Sequence, residues 1–513
     1  MGRARYRVTA AFALILFLFL QTPIGRASFI AEPDRAMLDL SYYWRRNEVR
    51  ADAPPVLYVR IDDWSIAEYW RARDGRALFP IAADTSAGVA ITETPLGTPR
   101  GMLADLLRFA RASDGEARAQ TVILDVDVAW ATGDEAGEQR LAEELRAWAA
   151  DPDAPFLVLA RETVPAAPER NAGRAALAAH ARPLVQLPPA PRYDDIVRLS
   201  PNIAYAIVSF QVDPRGVVRE YNQAVCAVTP NGLGLVPSAV WAVVAATETA
   251  NAAAAKVGLA AALEANSAHC ASFAPLWAPP SAAVNYHLAV GPGYDAEEAG
   301  QARLAAVPVR DGWAWRSVCG VGRPSASWSP ADELLTASAR ATEASIADLL
   351  CGSILVIGGN TSLQPDAYWS PYGRMDGAMV LSNAVRGRLV TGNTSEPWRR
   401  NLHLVFQIGM VLLTVLLVRI VFQYVGHVRR NLNRSRGSRS GLSNFIWGVG
   451  IVAVHPVTLN WLAPIVLFVF GAIVTVLTLN FGFWGMVTFP AFAASLAECI
   501  FEWEADLAAE GET

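Results

Sequence analysis

The residues best placed to do chemistry are carboxylates that close β-rich apolar runs. Val56–Ile61 opens onto Asp62 and Asp63, with Ser65 just beyond. Thr121–Trp130 repeats the pattern into Asp125 and Asp127, and Ile354–Gly358 leads onto Gly359 and then Asp366. Strands buried on both faces read this way, and an open parallel sheet builds its ligand crevice at their carboxyl ends. Asp62, Asp125 and Asp127 could converge there with Arg100. The guanidinium would bind an anion, and the carboxylates, with Asp366, would take amine or hydroxyl groups. A structural role stands beside that one: Asp63 or Ser65 caps a helix, and Arg100 pairs with Asp125 to hold a turn. Strand residues two apart share a face, so Asp125 and Asp127 could also serve as an acid–base pair, or simply bind turn amides.

No motif supports the catalytic option. The chain has no G-x-S-x-G elbow, no H-E-x-x-H, no P-loop and no G-x-G-x-x-G after a strand. Its six histidines show no metal spacing. The expectation is therefore a protein that is not an enzyme and that carries no cofactor and no metal. A net charge of -5 and the absence of a basic face argue against nucleic acid as a partner. Cys226, Cys270, Cys319 and Cys351 are disulfide candidates if the region is exported; three pairings are open to four cysteines, and buried free thiols are the other reading.

The elements that must position these residues alternate between strand and helix, which argues for an α/β fold. Strands are expected at Val56–Ile61, Thr121–Val128, Phe156–Ala160, Asn202–Val212, Val217–Val228 and Ile354–Gly358. Helices are expected from Ser65 to Trp70, over Gly101–Arg111 and Glu135–Ala149, and over Gly377–Arg386. Alanine-rich Gly232–Ala265 reads as helical, within an elaboration that spans about 230–345.

The ends are of another kind. With 513 residues the chain exceeds one compact core, and 53% hydrophobic content suits a soluble domain plus a few spanning helices. Arg3, Arg5 and Arg7 precede apolar Val8–Leu20, so 1–27 reads as a signal anchor, with cleavage after Ala27 the other option. Leu402–Val425 is a full-length span, followed by the arginine-rich loop 426–441. Within 442–501, Phe445–His455 reads as an interfacial segment, and Trp461–Phe481 and Phe483–Phe501 as two further spans. Arginine retention fixes both basic segments inside, which exports 28–400 and leaves the acidic tail 502–513 in the cytoplasm. No output domain is expected after that tail.

Several short lines, in this order, resemble the CHASE type 2 sensory domain of bacterial membrane receptors. Ile61, Asp62, Asp63 and Ser65 match the family's Ile-Asp-(Asp)-x-Ser line, and Pro99-Arg100 its helix-opening pair. Asp125 matches a strand-ending aspartate, and Asp213 through Arg219 resembles the Asp-x-x-Gly-x-Val-Arg turn. Gly358-Gly359, Asp366, Pro371 and Gly377 through Gly387 resemble the last strand and helix. The resemblance implies an extracytoplasmic α/β sensor domain joined to an α-helical transmembrane bundle in the bacterial inner membrane. It also implies a small-molecule or envelope ligand. Signal would pass to a separate cytoplasmic or membrane effector, with membrane lipid and a second copy of the chain as further partners. A non-catalytic assembly or structural component of the membrane is the alternative.

Overall fold

A computed structural model describes residues 56–61, 98–112, 118–130, 132–165, 185–213, 215–229, 232–249, 251–266, 352–359, 366–371 and 373–391, with single positions and short strands elsewhere. The chain divides into two compact units, Arg45–Asn393, and Met1–Trp44 with Thr394–Thr513. In the second unit the described residues are helical positions at 10–16, 18 and 39 and within 405–416. Among the described residues no helix is long and apolar enough to cross a membrane. Of the expected spans, Val8–Leu20 is helical over 10–16 and Leu402–Val425 is described at scattered positions. Trp461–Phe481, Phe483–Phe501, the interfacial segment, the basic loop and the acidic tail lie outside the described residues.

The unit Arg45–Asn393 is built on a parallel sheet, and its strands are the apolar runs noted above. They are β1 (Val56–Ile61), β2 (Thr121–Asp125), β3 (Phe156–Arg161), β4 (Ile203–Ile207), β5 (Ala326–Pro330) and β6 (Ile354–Gly359). Their spatial order is β5-β1-β6-β2-β3-β4, with Ala305–Ala306 added antiparallel on the β5 edge. The last strand in sequence, β6, is thus inserted between β1 and β2, which puts its glycines in the centre of the sheet. An antiparallel hairpin, β7 (Ala367–Ser370) and β8 (Gly373–Asp376), follows β6.

Helices cover both faces. On one lie α1 (Arg100–Ala112), α2 (Glu135–Ala150) and α3 (Asp194–Leu199). Leu103, Leu106, Leu107 and Ala110 of α1 recur at helical spacing, and all join one core with Leu57, Val59, Ile61, Val122, Leu124, Leu157, Leu159, Leu355 and Ile357 of the sheet. On the other face lie α4 (Ala239–Thr247) and α6 (Gly377–Thr391), while α5 (Ala252–Asn266) packs beside α4. Period-two alternation decides which sheet residues go where: Leu57, Val59 and Ile61 face α1 and α2, so Tyr58 and Arg60 face α6.

Local chemistry sets the helix ends. The Asp134 carboxylate accepts the Gly137 N–H at 2.9 Å and caps α2. At its other end, Asn202 Nδ2 donates to the Trp148 and Asp151 carbonyls, both at 3.0 Å, and so ties α2 to the start of β4. Trp148, fully buried, donates its Nε1–H to the Pro155 carbonyl at 2.8 Å. Glu144 bridges α2 to Arg108 and Arg111 of α1 at 3.3 and 2.7 Å.

Several expectations about the elements need revision. The β2 strand stops at Asp125 rather than at Val128, because the Asp127 carboxylate bonds the Ala129 N–H and turns the chain. Gly232–Ala265 is not wholly helical: Gly232–Pro237 pairs with Ala224–Thr229, and only α4 and α5 follow. Nor is the 230–345 tract wholly an appendage, since β5 and Ala305–Ala306 belong to the central sheet. The segment Gly232–Pro237 holds two glycines and a proline and no alanine, so it pairs as a strand ahead of the alanine-rich helices, and the apolar edge of β1 takes β5 beside it.

Candidate functional site

The carboxyl ends of the central strands carry two separate polar groups, one on each face of the sheet. Register places Arg60 beside Gly358 and Gly358 beside Asp125, so the three stand level across β1, β6 and β2. Glycine at 358 is required by close packing: a methyl there would approach the Ala378 Cβ of α6 to under 3.0 Å, a separation real Cβ atoms do not show. The first turn of α6 therefore rests directly on β6, with the Asp125 side chain on the other flank of Gly358.

Asp125 Oδ2 is buried and accepts no hydrogen bond from the described residues. Asp366 reaches the same place from the segment after β6; its carboxylate sits over Gly377 and its carbonyl accepts the Gly377 N–H at 2.8 Å. Burial, with the charge of Asp366 adding to it, pushes the Asp125 carboxyl up to about 8. Burial raises Asp366 to about 6; the hydrogen bond to Tyr368 opposes that shift, while Asp376 and Glu162 add to it. Burial likewise pushes the Tyr368 hydroxyl above the usual phenol range, so it stays protonated and donates. Asp376 is neutralised from β1: Arg60 Nε lies 3.2 Å from its Oδ2, and the Tyr58 hydroxyl donates to the same oxygen at 3.2 Å. The crevice on the α6 face thus holds two carboxyls, Asp125 and Asp366, that burial pushes above the ordinary carboxylate range.

Arg100 and Asp127 belong to the second group, on the α1–α3 side. Arg100, 3% exposed, donates from Nη2 to the Asp127 carbonyl at 2.9 Å and the Trp130 carbonyl at 2.8 Å. It holds the turn after β2 by its backbone and forms no ion pair with Asp125. Burial lowers the pKa of its guanidinium, with Tyr193, Glu138 and Asp127 opposing that shift. The Asp127 carboxylate accepts the Ala129 N–H at 2.7 Å and the Glu162 N–H at 2.8 Å, and pairs with Arg161 at 3.3 Å. Arg161 continues to Asp194 and stacks 4.6 Å from the centre of the Tyr205 ring. Every acceptor of this second group is turned inward on the protein itself, so it positions the crevice rim.

Of the residues singled out by sequence, Asp125 and Asp366 come together, Arg100 and Asp127 come together, and the two pairs occupy different faces. Asp62 lies outside the described residues. So do Cys270, Cys319 and Cys351, whereas Cys226 is disulfide-bonded. Among the described residues no group of three or more ligating side chains is assembled to hold a metal. Arg60, Tyr368 and Asp376 were not singled out. A lone arginine inside an otherwise apolar strand was the available signal for Arg60, and an aspartate directly before Gly377 was the signal for Asp376.

These elements define a three-layer, doubly wound α/β domain with a polar crevice at the carboxyl edge of its sheet. The chain belongs to the CHASE2 domain family, which matches residues 10–421 of the 513. CHASE2 is a family of extracellular sensory domains, so a sensory role in general follows. Comparison with curated proteins and with solved structures gave no significant match.

Proposed function

We propose that the protein is a bacterial inner-membrane sensor whose exported α/β domain takes a small polar molecule at the Asp125–Asp366 crevice. The observation that carries this reading is the unpartnered, buried Oδ2 of Asp125 beside Asp366, where a hydrogen-bond donor is wanted. An amine or hydroxyl group supplies that donor. Because Gly358 and Asp366 both press on Gly377-Ala378, occupancy of the crevice acts on the start of α6. The chain then passes from Thr391 to the apolar segment that opens at Leu402. This continuity supports relay by α6 to a membrane segment and on to a separate effector; the domain itself catalyses nothing. Large apolar side chains exposed at Phe12, Ile15, Leu18, Val405 and Leu416 favour a lipid surrounding for the terminal segments.

The test uses the full chain in lipid nanodiscs and a panel of polyamines, amino sugars and polyols. A member of the panel should raise the melting temperature of the wild type and lose that effect in Asp366→Asn. A panel member that stabilises wild type and variant alike binds elsewhere and defeats the assignment.

A further inference from the structure

We propose that the outer face of the β7–β8 hairpin is a docking surface for an acidic stretch of polypeptide that carries an apolar anchor residue. This surface is separate from the crevice, and its role does not depend on what the crevice binds.

Alternation gives the hairpin two faces. Register sets Tyr368 opposite Met375 and Trp369 opposite Arg374. The fold uses the inner pair: Met375 is buried, and the Tyr368 ring meets the Phe210 ring edge-on with 5.4 Å between centroids. The outer pair faces solvent. Trp369 is 58% exposed, and Arg374 is exposed as well. Residues directly opposed on antiparallel strands carry their Cβ atoms on one face about 5 Å apart, so indole and guanidinium start side by side.

A lone exposed apolar residue is ordinary. Three features set this one apart. The first is its mounting. Trp369 bridges to Val217 through the backbone, and Asp376 at the base of the hairpin is held by Arg60 Nε and the Tyr58 hydroxyl, each at 3.2 Å. An anchor fixed in this way loses little freedom when it is covered. The second is charge. Gly216, in the left-handed region at φ +82°, lies against the indole, and the exposed Arg215 immediately precedes it. The acids nearest to hand are engaged inside the fold. Asp213 pairs with Arg219 and accepts the Arg215 and Val217 N–H groups at 2.8 and 2.9 Å, while Asp376 is taken by Arg60. The charge presented around Trp369 is therefore basic, and its complement is acidic. The third is residue type: tryptophan and arginine are the side chains on which protein interfaces concentrate their binding energy.

An open two-stranded face suits a polypeptide better than a small molecule, which needs a concave site. A membrane surface suits it less well, because α6 starts at the hairpin and its 15 residues lead about 22 Å away before the chain leaves the unit. The hairpin closes on Ala367 and Asp376, directly before Gly377, whose N–H donates to the Asp366 carbonyl at 2.8 Å. A partner seated on the outer face thus bears on the start of α6.

Random short peptides displayed on phage are selected on the full chain in nanodiscs and counter-selected on Trp369→Ala. Both outer side chains are exposed, so Trp369→Ala and Arg374→Glu should melt as wild type does. Enriched peptides should carry Asp or Glu around one aromatic or aliphatic residue. By fluorescence polarisation they should bind Arg374→Glu about tenfold or more weakly than wild type. The same peptides with Lys in place of Asp and Glu should prefer Arg374→Glu to wild type, and added salt should weaken the wild-type complex. Failure to enrich any peptide over the counter-selected variant overturns the proposal, as does enrichment without acidic bias or equal binding to wild type and Arg374→Glu. Tighter binding of phosphatidylglycerol vesicles or polygalacturonate than of the selected peptides also overturns it, in favour of a lipid or glycan surface. Self-association of wild type that Trp369→Ala abolishes overturns it in favour of a contact between copies.

Discussion

Gly358→Ala tests the close seating of α6 on the sheet. The added methyl would come within 3.0 Å of the Ala378 Cβ, whereas ordinary contact begins at 3.4 Å. Neither atom is the end of a flexible side chain; each is fixed to a buried strand or to the first turn of a helix. The β6–α6 separation must open by roughly 1 Å to restore a carbon–carbon distance of ~3.5 Å. Overpacking of this kind costs about 1–3 kcal/mol. For a unit of this size that corresponds to a fall in melting temperature of about 1–4 °C. Differential scanning fluorimetry of the full chain in detergent measures it. The control is Gly258→Ala in α5, an exposed position where a methyl meets nothing within 4 Å. That change should stabilise by about 0.5–1 kcal/mol through helix propensity. Equal melting of Gly358→Ala and wild type would refute the reasoning, because the β6–α6 contact would then be looser than described. Hydrogen exchange should place the disturbance at 377–391 and leave α1 and α2 protected.

Three further outcomes follow from particular contacts. Arg100→Ala removes the part-buried hydrogen bonds to the Asp127 and Trp130 carbonyls and should cost about 1–3 kcal/mol in denaturant melts, while responses that depend on Asp366 persist. Asp134→Ala removes the cap of α2 and should cost about 1 kcal/mol, with faster exchange confined to its first turn. Cys226→Ser breaks the disulfide and should lower stability by about 2–4 kcal/mol, and reducing agent should bring wild type to the same melting temperature.

Much of the sheet was legible in the sequence. β1, β2, β3 and β6 fall on the runs at Val56, Thr121, Phe156 and Ile354, because strands covered on both faces need continuous apolar residues. The helices α1, α2 and α6 start within a residue of their expected positions. The signals read were the Pro-Arg pair that opens α1 and the amphipathic pattern of α2. Less legible was what long-range pairing decides. Asn202–Val212 reads as one strand but splits, Ile203–Ile207 joining the central sheet and Phe210–Val212 pairing with Val218–Asn222. The insertion of β6 between β1 and β2 has no local signal, yet it alone brings Gly358 beside Asp125. The same holds for the site. Spacing suggested that Asp125 and Asp127 share a face, and it was the turn at Asp127, made by its own carboxylate, that separated them. Arg100 stood in the right place on the helix start but served the carbonyls of that turn, which no side-chain pattern records.

Topology gives the most direct test of the account as a whole. Alkaline phosphatase fused after Asn393 should be active if, as proposed, the unit Arg45–Asn393 is exported, and a fluorescent protein fused after Ser440 should then be bright in the cytoplasm. An active phosphatase at Ser440, or an inactive one at Asn393, would contradict a membrane sensor of this design.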